Sequence, residues 1–141
     1  MKNKILTICI ILFTLTIGGC IVAEPHQEKK MDEVKESLSN KKWQLQQLGN
    51  SRRLVTNKAY IKFQDNGKVL GFSGCNRFQG KAKFNSKMLS IGPLGSTRKA
   101  CPDVMAFEAK VLKMLRETNR YSIKNNQLEL YNGKVRLGVF R

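Results

Sequence analysis

The sequence predicts a mainly β domain with one packed helix, an α+β chain whose strands pair antiparallel. Three observations carry this expectation. From Lys42 onward, short segments of alternating apolar and polar residues recur, bounded by Asn, Asp and Gly. Two of those boundaries are Asn-Gly pairs, Asn66-Gly67 and Asn132-Gly133, which favour hairpins because both residues tolerate positive φ. A single stretch, CPDVMAFEAKVLKMLRET (101–118), switches to the three- and four-residue apolar spacing of a helix.

WQLQQL (43–48) opens the strands, with Trp43, Leu45 and Gln47 on one side. AYIKF (59–63) sets Ala59, Ile61 and Phe63 inward against Tyr60 and Lys62, and KVLGF (68–72) returns across Asp65-Asn66-Gly67. FQGKAKF (78–84) alternates Phe78, Gly80, Ala82 and Phe84 against Lys81 and Lys83, and MLSIG (88–92) pairs with it across 85–87. RYSIK (120–124), QLELY (127–131) and KVRLGVF (134–140), separated by Asn125-Asn126 and Asn132-Gly133, predict a three-strand meander. In the helical stretch Val104, Phe107, Val111, Met114 and Leu115 share one face. Pro102 suits the first helical position, and Asp103 places negative charge near the positive end of the helix dipole.

The N-terminus bears on compartment. Lys2 and Lys4 precede the uncharged run Ile5 to Ile17, too short for a spanning helix of about 20 residues, so 1–19 reads as a secretory signal. The run ends in IGGC (17–20), which resembles the lipobox of bacterial lipoproteins, where cleavage precedes the cysteine and its sulfur receives a diacylglyceryl group. Cys20 would then be the lipidated first residue, and its acyl chains would hold the chain at a membrane. An ordinary signal peptide cleaved nearby, or an uncleaved anchor, is the alternative. Residues 20–39 are mostly polar, contain Pro25, and read as a tether from lipid to domain; a short amphipathic turn around Val34 and Leu38, docking on the domain, is the other reading. Residues 40–141 suffice for one modest domain.

The 141-residue chain has 26 Lys and Arg against 10 Asp and Glu, a formal net charge of +16. Such an excess points to anionic partners, or to a solvated basic exterior. Arg52, Arg53 and Lys58 cluster in the first loop; Lys81, Lys83 and Lys87 share a strand and its turn; Arg98 and Lys99 precede the helix. Arg52, Arg53, Lys81 and Lys83 are the candidate anion-binding residues, suited to phosphate groups of lipid or glycan at a membrane surface. Nucleic acid is the weaker candidate, because few exposed aromatics interleave with these bases.

Chemistry-bearing residues are sparse. Cys9 would leave with the signal and Cys20 would be acylated, so Cys75 and Cys101 remain the domain's one pair of thiols, in a compartment that permits disulfides. A Cys75–Cys101 bridge closes a loop of about 27 residues, worth roughly 3.5 kcal/mol in the loop-entropy model. Cys101, at a helix N-terminus, also has a reading as a reactive thiolate. His26 is the chain's one histidine and lies in the tether, so no Cys/His pairing forms in the domain. Two cysteines without CxxC spacing make a weak metal site. Asp65, Asp103, Glu108, Glu117 and Glu129 form no close pair; each suits a turn, a helix dipole or the surface. No catalytic residue, metal or cofactor is expected.

GFSGCNRFQG (71–80), followed by STRKAC (96–101), resembles the paired signature of the META domain, also called the HslJ-like family. The resemblance extends to Trp43-Gln44-Leu45, the IKFQDNGKVLGFSG hairpin, LSIGPLGSTRKAC and LELY. Its motif positions here are Gly71, Ser73, Gly74, Cys75, Asn76, Phe78, Gly80, Ser96, Thr97, Arg98, Ala100 and Cys101. One departure is Lys99, where the family commonly has Met, which bears on packing beside Cys101. The resemblance implies a strongly curved, barrel-like antiparallel sheet with a helix packed on it. It also implies an exported lipoprotein without established catalytic activity, linked to heat response, novobiocin resistance or virulence; together with the basic residues, this gives as the first expectation a non-enzymatic envelope lipoprotein that binds an envelope protein, anionic lipid or glycan and supports envelope stress tolerance. Ile21 is not the aspartate associated with inner-membrane retention, which favours the outer membrane, facing the periplasm. Two other readings remain: a pilot for a secretin subunit, resting on architecture without a sequence motif, and a thiol enzyme centred on Cys75 and Cys101.

Overall fold

A computed structural model describes residues 33, 35–51 and 58–141. The expected signal segment, Cys20, most of the expected tether, Val34, Arg52 and Arg53 lie outside the described residues. After a short helical segment at 35–38, the described residues form in order β1 (Lys42–Leu48), β2 (Tyr60–Phe63), β3 (Lys68–Phe72), β4 (Arg77–Phe84), β5 (Leu89–Ile91), β6 (Gly95–Ser96), a 3₁₀ turn (Pro102–Val104), α1 (Met105–Glu117), β7 (Arg120–Lys124), β8 (Gln127–Asn132) and β9 (Val135–Phe140). All pair antiparallel in the order β5-β4-β3-β2-β1-β9-β8-β7, with β6 added beside β4.

β1 joins the two halves of this sheet. Its first residues pair with β2, Trp43 opposite Ile61, and its later ones with β9, Leu45 opposite Phe140. A bulge between Leu45 and Gln47 makes the switch, so the alternation expected for Trp43, Leu45 and Gln47 holds through Leu45 and then breaks. The sheet curves until its end strands approach: Leu89 N donates to Asn119 O and Tyr121 N to Lys87 O, each at 3.3 Å. Met88 and Arg120 form an isolated bridge, and β5 and β7 do not merge, so the sheet is curved and open.

The hairpins form where turn chemistry places them, but neither Asn-Gly turn has both residues at positive φ; at Asn132-Gly133 only Gly133 does so, at 56°. Asn125 and Asn126 both take positive φ, as a tight two-residue turn requires. Between β2 and β3 only Gly67 does so, at 75°. Gln64 N donates to Lys68 O and Gly67 N to Gln64 O, giving a three-residue loop with the glycine in the left-handed position, while Asn66 Oδ1 accepts from Lys68 N.

One core fills the concave side. Trp43, Leu45, Ile61, Phe63, Val69, Phe78, Leu89, Leu128, Leu130 and Phe140 line the sheet's inner face, and Val111, Met114 and Leu115 of α1 pack on them. Gly138 lets the helix approach β9: a Cβ there would lie 2.4 Å from Met114 Sδ. The helix starts later than the expected 101–118 because the chain makes a 3₁₀ turn first, with Val104 N and Met105 N both donating to Cys101 O.

The tether expected over 20–39 ends earlier. Residues 35–38 are helical, Leu38 is fully buried and Trp43 Nε1 donates to its carbonyl at 3.0 Å. Asn40 N then donates to Phe63 O, latching this segment to β2. Burying a leucine stabilises by roughly 1.5–3 kcal/mol, more than a solvated linker would supply.

Gly71 stands on the inner face between Ile61 and Phe78, where a Cβ would lie 2.2 Å from Tyr60 O and 2.4 Å from the Phe78 ring. Gly71→Ala is therefore expected to lower the unfolding free energy by about 3 kcal/mol, read as a lower urea midpoint at unchanged slope. Gly95→Ala, whose Cβ would meet only Gln79 O at 4.0 Å, is expected to change it by less than about 0.5 kcal/mol.

Candidate functional site

The motif residues converge on a clasp between sheet and helix. β3 ends at Phe72, and the chain turns through 73–76 before β4, with Ser73 N donating to Asn76 O at 2.9 Å. Gly74 takes φ 117° and faces Phe107, whose ring a Cβ would approach to 2.8 Å. The Ser73 hydroxyl donates to Glu108 Oε1 at 2.8 Å, with the Asn76 carbonyl a second acceptor at 2.9 Å. Asn76 uses its whole amide: Nδ2 donates to Glu108 Oε2 (3.0 Å) and Lys99 O (3.2 Å), while Oδ1 accepts from Thr97 Oγ1 (2.7 Å) and Lys99 N (2.8 Å). Thr97 Oγ1 also accepts from Arg77 N.

The expected disulfide is formed. Cys75 and Cys101, with Cα atoms 6.1 Å apart, tie the same turn to the residue whose carbonyl starts the 3₁₀ turn. The thiolate reading of Cys101 therefore gives way to the structural one, since a disulfide sulfur does not titrate.

Two further expectations are corrected. Glu108 is neither a surface nor a dipole residue: it is 8% exposed and accepts both clasp bonds with no cation beside it. The signal for this was present, because Glu108 sits three residues before Val111 and seven before Leu115, on the apolar stripe itself. Lys99 leaves the packing beside Cys101 undisturbed; its side chain is exposed and only its backbone enters the clasp. Ser96, Arg98 and Ala100 are exposed as well.

Ser73 and Glu108 stand as a hydroxyl and a carboxylate within hydrogen-bond reach, but both are buried, Ser73 completely, and both are engaged in holding the turn to the helix. Each oxygen of the Glu108 carboxyl accepts one donor, and among the described residues no group of three His, Cys, Asp or Glu could hold a metal. Glu129, on β8, accepts from Tyr131 at 2.6 Å and Arg136 at 3.4 Å; that hydrogen bond first, and burial second, raises the Tyr131 pKa and keeps the phenol protonated.

The candidate binding surface lies on the opposite side of the sheet. Register places Lys42, Lys62, Lys68, Arg77, Lys81 and Lys83 on the outer face of β1–β4, and these four strands contain no Asp or Glu. Lys42 stands directly opposite Lys62, and Lys68 opposite Lys81. Lys81 and Lys83 point together, as expected, and both are exposed. Lys42 Nζ sits 4.3 Å over the Tyr60 ring, which stacks on Phe72 at 6.5 Å. A groove of about 700 Å³ runs across this face, lined by Tyr60, Leu70, Arg77, Gln79, Gly95 and Ser96. A second hollow of about 500 Å³ adjoins it at Gln79 and Gly95 and is edged by Lys68 and Lys81. Sequence reading named two of these cations but missed that β6 and Gly95 flank the groove, since a two-residue strand has no periodicity to find.

A family model, the META domain, matches residues 36–141 of this chain. An NMR structure of a protein from Burkholderia xenovorans is similar at TM-score 0.61 and 24% identity, over 77% of this chain and 85% of that one. A crystal structure of a DUF4847 family protein from Bacteroides vulgatus matches at TM-score 0.58 and 15% identity, over 76% of this chain and 95% of that one, a likeness of fold alone. No curated protein matches in sequence.

The Cys75→Ser/Cys101→Ser double variant is expected to stay folded by circular dichroism while losing about 3 kcal/mol of stability in urea. Reduction of the unsubstituted chain should lower its midpoint by a similar amount.

Proposed function

As the chain belongs to the META domain family, we propose that it is a non-enzymatic, membrane-anchored envelope lipoprotein whose outer sheet face binds an anionic envelope partner. The lipid on Cys20 would hold the domain at a membrane, and the absence of aspartate at Ile21 supports the outer membrane, facing the periplasm. Roles in envelope stress tolerance, novobiocin resistance or virulence would follow from that binding.

One observation carries the proposal. Two lysine pairs, Lys42–Lys62 and Lys68–Lys81, stand directly cross-strand on a face that holds no carboxylate. Like charges directly opposite destabilise a sheet, and of the four lysines only Lys42 has an offsetting contact among the described residues, over the Tyr60 ring. Bound anions would relieve the repulsion. Among the described residues, the ion pairs are Lys113–Glu117 and Arg136–Glu129, both away from this face.

The test separates this face from net charge. On an immobilised polyanion such as heparin, Lys68→Gln/Lys81→Gln is expected to elute at clearly lower salt than Lys110→Gln/Lys124→Gln, which removes the same charge from exposed positions elsewhere. Equal shifts for the two variants would overturn the proposal.

A further inference from the structure

We infer that the groove across β2, β3, β4 and β6 is a site for an acidic glycan, a saccharide chain bearing carboxylate or phosphate groups. This rests on the anion-binding reading above and adds the class of ligand and the residues that select it. The groove combines three chemistries along one line. Leu70 offers apolar surface for the C–H face of a sugar ring. The Gln79 amide and the Ser96 hydroxyl, neither with a side-chain partner among the described residues, offer donors and acceptors for ring hydroxyls. Arg77 at one end and the Lys68–Lys81 pair at the other supply charge to acidic substituents. From Arg77 to Lys81 the strand advances by about 13 Å, a spacing that suits charges repeated along a chain.

The shape argues against the other polyanions. A bilayer presents a plane, to which a hollow flanked by β6 contributes nothing. A nucleobase needs an open aromatic face, and Tyr60 is already flanked by Lys42 from the β1 side and Phe72 from the β3 side. Gly95 keeps the groove open. It is paired with Gln79 on β4, no atom but Gln79 O lies within 4 Å of where its Cβ would be, and a side chain there projects beside the Gln79 amide.

The experiment is calorimetric titration of the purified full chain with hexagalacturonate, maltohexaose, phosphatidylglycerol vesicles and a single-stranded oligonucleotide. Hexagalacturonate is expected to bind, maltohexaose at least about tenfold more weakly. Gly95→Phe should weaken hexagalacturonate about tenfold or more while leaving vesicle binding unchanged. Arg77→Gln, whose side chain makes no bond within the described fold, should weaken it about tenfold and serves if Gly95→Phe does not fold. Unchanged hexagalacturonate affinity in Gly95→Phe or Arg77→Gln overturns the groove and leaves anion binding standing. Equal affinity for maltohexaose, or tighter binding of vesicles or oligonucleotide, overturns the glycan assignment. Loss of all binding in the unsubstituted chain overturns both readings.

Discussion

The fold depends on a carboxyl group buried among hydrogen-bond donors. Glu108 lies on the apolar face of α1, one turn before Val111, where an unpartnered carboxyl would cost several kcal/mol. Ser73 and Asn76 remove that cost by donating to its two oxygens. Asn76 in turn can reach Glu108 only because Gly74 lets the turn pass beneath Phe107, and its other contacts hold the 97–99 backbone against β4. A single side-chain amide thus fixes the turn, the strand beside β4 and the helix together. The Cys75–Cys101 bond repeats the connection covalently and limits how far the parts can separate when the hydrogen bonds open.

This division of labour leaves the two faces of the sheet with different tasks. The inner face is given to packing, with glycines at Gly71 and Gly138 where a ring or the helix must come close. The outer face carries no such constraint, and it gathers lysines opposite lysines beside a groove of polar and aromatic residues. A sheet selected for stability alone would interleave charges of both signs there. The clasp and the basic face meet at Arg77 and Thr97: Arg77 N donates to Thr97 Oγ1 in the clasp, while the Arg77 side chain lines the groove. The clasp therefore positions one wall of the proposed binding surface.

Much of this was legible in the residues, for reasons that differ by element. β3 and the meander strands were readable because alternation and Asn-containing turns are local properties. The helix was readable from its apolar period, but its start was displaced because Pro102 and Asp103 fit a 3₁₀ turn as well as a first helical turn. The switch of β1 from one partner to the other was not readable, since a bulge is decided by which strands lie on either side. The docking of Leu38 was legible only as an alternative to a tether, because so short a helical segment carries too little period, and the Trp43 indole and Phe63 carbonyl that fix it belong to β1 and β2 rather than to the segment itself. For the site, the two cysteines could be paired by counting, whereas the buried role of Glu108 required giving the stripe precedence over the charge.

The claim that Asn76 and Glu108 act as one unit is tested most directly by a double-mutant cycle. Unfolding in urea is measured for the unsubstituted chain, Asn76→Ala, Glu108→Ala and the double variant, all with the disulfide intact. A coupling of about 1–3 kcal/mol, with the double variant less destabilised than the sum of the singles, is the predicted result. Additivity within about 0.5 kcal/mol would contradict the account, because it would mean that the helix is held to the sheet without the buried hydrogen bonds.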